Sequence, residues 1–209
     1  GLSDAPTPPY VADDFIADAL RLMDELGLEK VILVGFSIGA TFAARMAVDV
    51  PERLERVVLV SSIAGRTPEQ RARAEARAAL IRQTPPSETA PGSAVRWFSP
   101  KFREERPNLV DLEVQVVSAN RHAPYAASYQ VLVENDPIGF VDQITIPTLI
   151  ITGENDEGST PDMSRALHAR IKGSRLVIEP DVKHYIQIEK AARLAAEILD
   201  FVGASKSAQ

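Results

Sequence analysis

The sequence predicts an α/β protein, a mostly parallel sheet with helices on both faces, interrupted by an all-helical stretch. Three observations carry this. The run Val31-Ile32-Leu33-Val34 has no polar alternation, and apolar runs of the same kind recur at Arg56 to Ser61, Pro147 to Thr152 and Arg175 to Ile178. Helical patterns separate these runs, so successive strands need crossovers and run parallel. Finally, Gly35-Phe36-Ser37-Ile38-Gly39 falls between the first run and a helical stretch, where the chain must reverse sharply.

Taken in order, residues 1 to 10 hold three prolines and read as a surface loop. A helix follows from about Val11 to Leu26, with Phe15, Ala19, Leu20, Met23 and Leu26 at helical spacing and Gly27 as the stop. Val31 to Val34 reads as a strand buried on both faces. The next helix, through Ala40, Phe42, Ala43, Ala44, Met46, Ala47 and Val48, is apolar nearly all round and ends at Pro51. After the second strand the alternation breaks. Thr67-Pro68-Glu69-Gln70 combines a capping threonine, a proline at the first helical position and a glutamine three residues after the cap. The helix it starts carries Arg71, Arg73, Arg77 and Arg82, interrupted by Glu69 and Glu75, and reads as a solvated face rather than a nucleic-acid surface. Further helices fit Ser93 to Phe98, Asn108 to Ala119 and Pro124 to Glu134. The alternation then resumes with the third strand, a helix from Pro161 to Ile171, the fourth strand, an amphipathic helix from about Glu189 to Val202, and a polar tail from Ala204 to Gln209 expected to fray.

Composition narrows the classes. The 209 residues are 45% hydrophobic and 25% charged, enough for one domain with a sizeable core. A net charge of -6 argues against nucleic acid or an anionic membrane as partner. There is no cysteine, so disulfides, thiolate metal sites and cysteine nucleophiles are excluded. No apolar stretch approaches transmembrane length, and a cytoplasmic location is expected.

The chemistry begins at Ser37. Gly-x-Ser-x-Gly between strand and helix is the spacing of a nucleophile elbow, with a glycine expected on either side because a side chain would clash. It also sets Ser37 at a helix N-terminus, where the Ile38 N–H is free to stabilise an oxyanion. A serine nucleophile needs a base, and a third group to orient that base. Of the three histidines, His168 lies on a helix and reads as a surface residue. His122, at a helix start, suits a cap or a substrate contact. His184 follows the last strand, where α/β sheets build their sites. Asp156, in the Gly153-Glu154-Asn155-Asp156 turn after the third strand, is the acid, with Glu154 and Glu157 as local competitors. Met163, Tyr125 and Tyr129 read as packing.

On these residues the chain from Gly1 to Val202 resembles the α/β-hydrolase superfamily, matching its elbow, its Gly153-x-x-Asp156 turn and its Val182-Lys183-His184 loop in register. Arg96-Trp97-Phe98-Ser99-Pro100, Phe102 to Pro107 and the Ala123 to Asp136 helix look like the lid of 3-oxoadipate enol-lactonases and related small esterases. The resemblance implies an α/β-hydrolase core at residues 1–64 and 141–209 with a helical lid at 65–140. It implies a cofactor- and metal-independent serine hydrolase acting on a small-molecule ester or lactone through Ser37, Asp156 and His184. Phe36, Arg96, Trp97 and His122 are the candidate substrate contacts. Arg96 and Trp97 serve either as pocket lining, the guanidinium meeting a substrate carboxylate, or as a lid-stabilising ion pair and a packed indole. Two rival readings are a carbon–carbon bond hydrolase of the same fold and a non-catalytic hydrolase-like binding protein.

One departure follows from the same resemblance. The segment GLSDAP corresponds to a point just after a strand that precedes the first helix, so the chain looks like a hydrolase without its first strands and without the loop that carries a second oxyanion donor. Loss of one such donor costs about 10²- to 10³-fold in turnover. Self-association, or a partner chain, is expected at the uncovered edge of the Val31 to Val34 strand.

Overall fold

The computed structural model describes residues 4–203. The chain runs α1 (Ala12–Glu25), β1 (Val31–Phe36), α2 (Ile38–Asp49) and β2 (Leu54–Val60). Six helices follow: α3 (Pro68–Gln83), α4 (Pro86–Thr89), α5 (Ala94–Trp97), α6 (Pro100–Glu105), α7 (Pro107–Ser118) and α8 (His122–Glu134). The order closes with β3 (Thr148–Gly153), α9 (Pro161–Arg170), β4 (Arg175–Glu179), α10 (Ile186–Glu189) and α11 (Ala191–Gly203). The polar tail expected from Ala204 lies outside the described residues.

The four strands pair in parallel in the order β1-β2-β3-β4. Strand alternation divides the core between the two faces. Val57 and Leu59 of β2 and Ile150 of β3 pack with α1, α2 and α9 through Met23, Ala43, Met46 and Leu167. Val58 and Val60, with Leu149 and Ile151, pack on the other face against Val182, Ile186 and the α11 residues Leu194 and Phe201. A run that is apolar at every position is therefore required of β2 and β3, since both of their faces are covered.

β1 departs from this. It is the edge strand of the sheet; Val31 and Leu33 pack into the α1 and α2 face, whereas Val34 is 46% exposed. The expectation that Val31 to Val34 is buried on both faces is thus corrected. An uninterrupted apolar run shows that both faces suit burial, but whether a layer covers each face is decided by tertiary packing, and α11 packs on β2 and β3.

The helix signals are realised locally. Thr67 Oγ1 accepts from the Gln70 N–H at 3.2 Å and Gln70 Oε1 accepts from the Thr67 N–H at 2.9 Å, which closes the expected capping box at the start of α3. α8 begins at His122 rather than Pro124. Pro124 then sits in the first turn, where its missing N–H would have had no intrahelical partner. The expected final helix divides at Lys190, whose φ of -133° and ψ of 41° separate α10 from α11. Asp136 closes the neck of the stretch between β2 and β3: its carboxylate accepts from the N–H groups of Gly65 at 2.8 Å, Arg66 at 3.0 Å and Ile138 at 3.1 Å.

An unpaired strand edge invites pairing with another chain. Residues 1–209 alone are expected to elute above monomer mass in size-exclusion chromatography. Val34→Lys, which places a charge on the exposed position of that strand, should shift the population toward monomer. A monodisperse monomer for the unmodified chain would contradict this.

Candidate active site

Ser37 sits between β1 and α2 with φ 54° and ψ -117°, a conformation that L-residues rarely adopt. Its N–H is held by the Val60 carbonyl at 2.9 Å on the neighbouring strand, and its carbonyl accepts from Ala40 at 3.0 Å as the helix begins. A serine in this position ordinarily caps the helix with its hydroxyl. Here the side chain makes no cap bond. The strained turn directs it instead to His184, whose Nε2 lies 3.1 Å from Ser37 Oγ. The following Ile38 N–H belongs to the first turn of α2 and has no intrahelical acceptor.

The two glycines of the elbow have different roles. A Cβ on Gly35 would lie 2.3 Å from the Gly39 carbonyl oxygen and 2.7 Å from the Ala40 Cα, so no side chain fits there. A Cβ on Gly39 would meet nothing within 4 Å. The expected clash is therefore real at Gly35 and absent at Gly39, where the close approach is made by the backbone carbonyl.

A second close approach assembles the other two groups. A Cβ on Gly153, at the end of β3, would lie 2.3 Å from the Lys183 carbonyl and 2.5 Å from that of Val182. With glycine there, the loop after β3 and the loop after β4 run against each other. The Glu154 N–H donates to Glu179 O at 2.8 Å and the Asn155 N–H to Val182 O at 3.0 Å. Asp156, 3% exposed, is fixed by Gly158 and Ser159, whose N–H groups both donate to Oδ1 at 2.9 Å. Its Oδ2 is 2.7 Å from His184 Nδ1. A carboxylate only accepts, so Nδ1 carries the proton and Nε2 presents a lone pair to the Ser37 hydroxyl. The competing carboxylates also line the site but have other partners: Glu157 pairs with Lys183 at 2.6 Å, and Glu154 accepts from the Asp181 N–H at 3.4 Å.

The three side chains open onto a cavity of about 1270 Å³ between the sheet's C-terminal ends and the helices that follow β2. Phe36, Ile38, Arg96 and Trp97 line it, as do Tyr125, Tyr129 and Met163. Trp97 stacks on Tyr185 with ring centroids 5.1 Å apart, so it both packs and lines. Burial raises the Tyr185 phenol well above its ordinary pKa and keeps it neutral. His122 does not line the cavity. Its Nε2 meets the Ile81 carbonyl at 2.6 Å and ties α8 to α3, away from the residues that line the cavity. His168, on α9, bonds Ser174 Oγ at 2.8 Å and stays at the surface. Among the described residues, no three His, Asp or Glu side chains converge as a metal site would need.

Two features of the site had no clear signal in the sequence. Ser61, the residue after β2, is fully buried with φ 48° and donates from Oγ to the His184 carbonyl at 3.2 Å. Arg73 and Arg77 of the expected solvated face both line the cavity; Arg73 is exposed as expected, and Arg77 is half-buried. Arg77 and Arg96 both donate to Ser93 Oγ, at 2.9 and 2.8 Å, and neither meets a carboxylate among the described residues. Burial and the neighbouring Arg96 push the Arg77 guanidinium below its ordinary pKa, and its buried Nε has no hydrogen-bond partner. Ser93, serving both arginines, is the one positional clue.

A parallel sheet whose strand-end loops enclose a cavity over an elbow is the architecture of a hydrolase of the α/β class. The sequence model described as alpha/beta hydrolase fold matches residues 1–191, and the chain belongs to that family. It is 30% identical to 3-oxoadipate enol-lactonase 2 of Acinetobacter baylyi, over 91% of this chain and 70% of that one. It is 27% identical to a 2-hydroxy-6-oxononadienedioate/2-hydroxy-6-oxononatrienedioate hydrolase of Klebsiella pneumoniae, over 97% of this chain and 73% of that one. The enol-lactonase structure from Burkholderia xenovorans superposes with a TM-score of 0.88 at 28% identity, covering 97% of this chain and 76% of the other. No helix of the described residues is long and apolar enough to cross a membrane.

The two close approaches make distinct predictions. Gly35→Ala and Gly153→Ala should each destabilise the fold by about 1–3 kcal/mol or more, because backbone must move. Gly39→Ala should be neutral or stabilising by up to about 1 kcal/mol, since it replaces a helical glycine without a clash. Urea unfolding of the three variants checks this; equal losses at all three positions would contradict it.

Proposed function

We propose that this protein hydrolyses a carboxylic ester or lactone that carries its own carboxylate, through a Ser37, His184 and Asp156 triad and an acyl-enzyme. The observation that carries the reading is the continuous hydrogen-bonded path from Ser37 Oγ to His184 Nε2, and from His184 Nδ1 to Asp156 Oδ2, opening on a large cavity. As Ser37 Oγ attacks the carbonyl carbon, its proton passes to His184 Nε2, and the imidazolium is stabilised by the buried Asp156. The carbonyl π pair moves to oxygen, where the Ile38 N–H and the N-terminus of α2 favour the negative charge. Collapse breaks the bond to the leaving oxygen, which takes the proton from His184. Water then repeats the sequence, with His184 as its base, and frees Ser37.

The substrate class follows from charge. Arg77 and Arg96 share Ser93 and have no carboxylate partner among the described residues, so a substrate anion would complete them. The enol-lactonase named above is consistent with that class. The likeness to the Klebsiella hydrolase supports a second reading, carbon–carbon bond cleavage of a dienoic diketo acid, which the same arginines would also serve. Assay of both substrate classes separates the two.

Ser37→Ala, His184→Ala and Asp156→Asn should each lower kcat for a neutral aryl ester by on the order of 10⁴-fold or more with the fold retained. Glu154→Gln should leave it near the unmodified level. If Glu154→Gln were the inactive variant, the acid would be misassigned. Arg96→Leu should weaken kcat/KM for a carboxylate-bearing lactone by about 10- to 100-fold, the worth of a charged hydrogen bond, and change the neutral ester little. Equal losses on both substrates would make Arg96 structural.

A further inference from the structure

His184 stands in a loop between β4 and α10, and a loop of that kind is held only by what it touches. On the core side the Asn155 N–H donates to the Val182 carbonyl at 3.0 Å, Ser61 Oγ to the His184 carbonyl at 3.2 Å and the Asp181 N–H to Glu154 at 3.4 Å, while Lys183 Nζ pairs with Glu157 at 2.6 Å and the His184 ring meets Asp156 and Ser37. On the opposite side a second set of bonds goes to one short segment, residues 95–99, which belongs to the helical stretch between β2 and β3. Lys183 Nζ donates to the Val95 carbonyl at 2.8 Å, and Tyr185 N–H donates to the Trp97 carbonyl at 3.0 Å. The Tyr185 ring is sandwiched there, stacked on Trp97 and edge-on to Phe98 at 5.1 Å.

Glu189 completes the clasp and differs from its other members, because it is a side chain bonded to both partners at once. Its Oε1 accepts from the Ser99 N–H at 3.1 Å and from the Lys183 N–H at 3.3 Å, and its Oε2 accepts from Ser99 Oγ. Every group facing the carboxylate is a donor. That suits an ionised carboxylate, which has only lone pairs to offer. Lys183 is the residue immediately before His184, so a shift of its N–H moves the imidazole relative to Ser37.

We propose that Glu189 is a positioning residue for His184, holding the histidine loop against residues 95–99 so that Nε2 stays within reach of Ser37. This rests on the hydrolase reading above, and it adds that the helical stretch after β2 sets the base's position as well as covering the cavity. Glu189 itself touches neither the substrate nor the reacting atoms.

Two readouts test it on the full chain. One is steady-state hydrolysis of a neutral aryl ester. The other is the low-field proton resonance of His184 Nδ1, which reports the bond to Asp156 whether or not the protein turns over. Glu189→Ala should lower kcat by about 10- to 100-fold with KM little changed, the scale of a base displaced by about an ångström, and should shift or broaden that resonance. Glu189→Gln, which keeps one acceptor oxygen, should recover part of both. Ser99→Ala should show a smaller loss, and Ser99→Ala/Glu189→Ala should be no worse than Glu189→Ala alone, because both changes open the same clasp. Should Glu189→Ala fail to fold, Glu189→Gln and Ser99→Ala carry the test. Folded variants with unchanged kcat and an unchanged resonance would overturn the inference. A wild-type chain with no Ser37-dependent turnover would instead overturn the hydrolase reading, and the resonance would still decide whether Glu189 positions His184.

Discussion

The site depends on how closely two backbones pass at Gly153. A Cβ there would lie 2.3 Å from the Lys183 carbonyl, so only glycine lets the loops after β3 and β4 run side by side. Once they do, Asn155 and Val182 are bonded, and Asp156 and His184 face each other at 2.7 Å. Gly35 does the same for the serine, allowing the start of α2 to fold back against the end of β1. Parallel strands explain why these contacts coincide. They put the C-terminal ends of β1, β2, β3 and β4 along one edge of the sheet, so Ser37, Ser61, Asp156 and His184 arrive from four loops at one place.

Polarity is divided within that place. The sheet side supplies buried, fully bonded groups: Asp156 with two backbone donors and His184, and Ser61 with the His184 carbonyl. The helical side supplies cations, Arg73, Arg77 and Arg96, two of them sharing one serine hydroxyl and lacking a carboxylate. Arg77 is half-buried, and its burial, followed by the nearby charge of Arg96, lowers its guanidinium pKa, whereas Arg73 and Arg96 are exposed. Glu154, Glu157 and Lys183 line the same cavity, so the proposed preference for an anion rests on Arg77 and Arg96.

Much of this was legible in the residues, and the failures have physical causes. The four strands, the capping box at Thr67 and Gln70 and the elbow at Ser37 are local patterns, set by neighbours in sequence. Asp156 and His184 were legible because strand ends and chain order restrict the choice. What local pattern cannot show is which layer lies against which face. Val34 reads as core and is half exposed, and Arg77 reads as solvated and is half-buried where it lines the cavity. α3 contributes to that error, since its inner face is marked chiefly by Ala78 and Ile81 among arginines. His122 stood at the right kind of position, a helix start, but its ring packs back on α3. Ser61 and Glu189 belong to no motif; each matters because of a backbone group far away in sequence, and only the folded chain brings those groups together.

The central claim is that Ser37 is a nucleophile activated by His184. Incubation of the folded chain with a fluorophosphonate, followed by mass spectrometry of its peptides, tests it without knowledge of the natural substrate. The account predicts one adduct, on Ser37, formed quickly in the unmodified chain and nearly abolished in His184→Ala. Absence of an adduct, an adduct on another serine, or labelling of Ser37 at the same rate without His184 would contradict it.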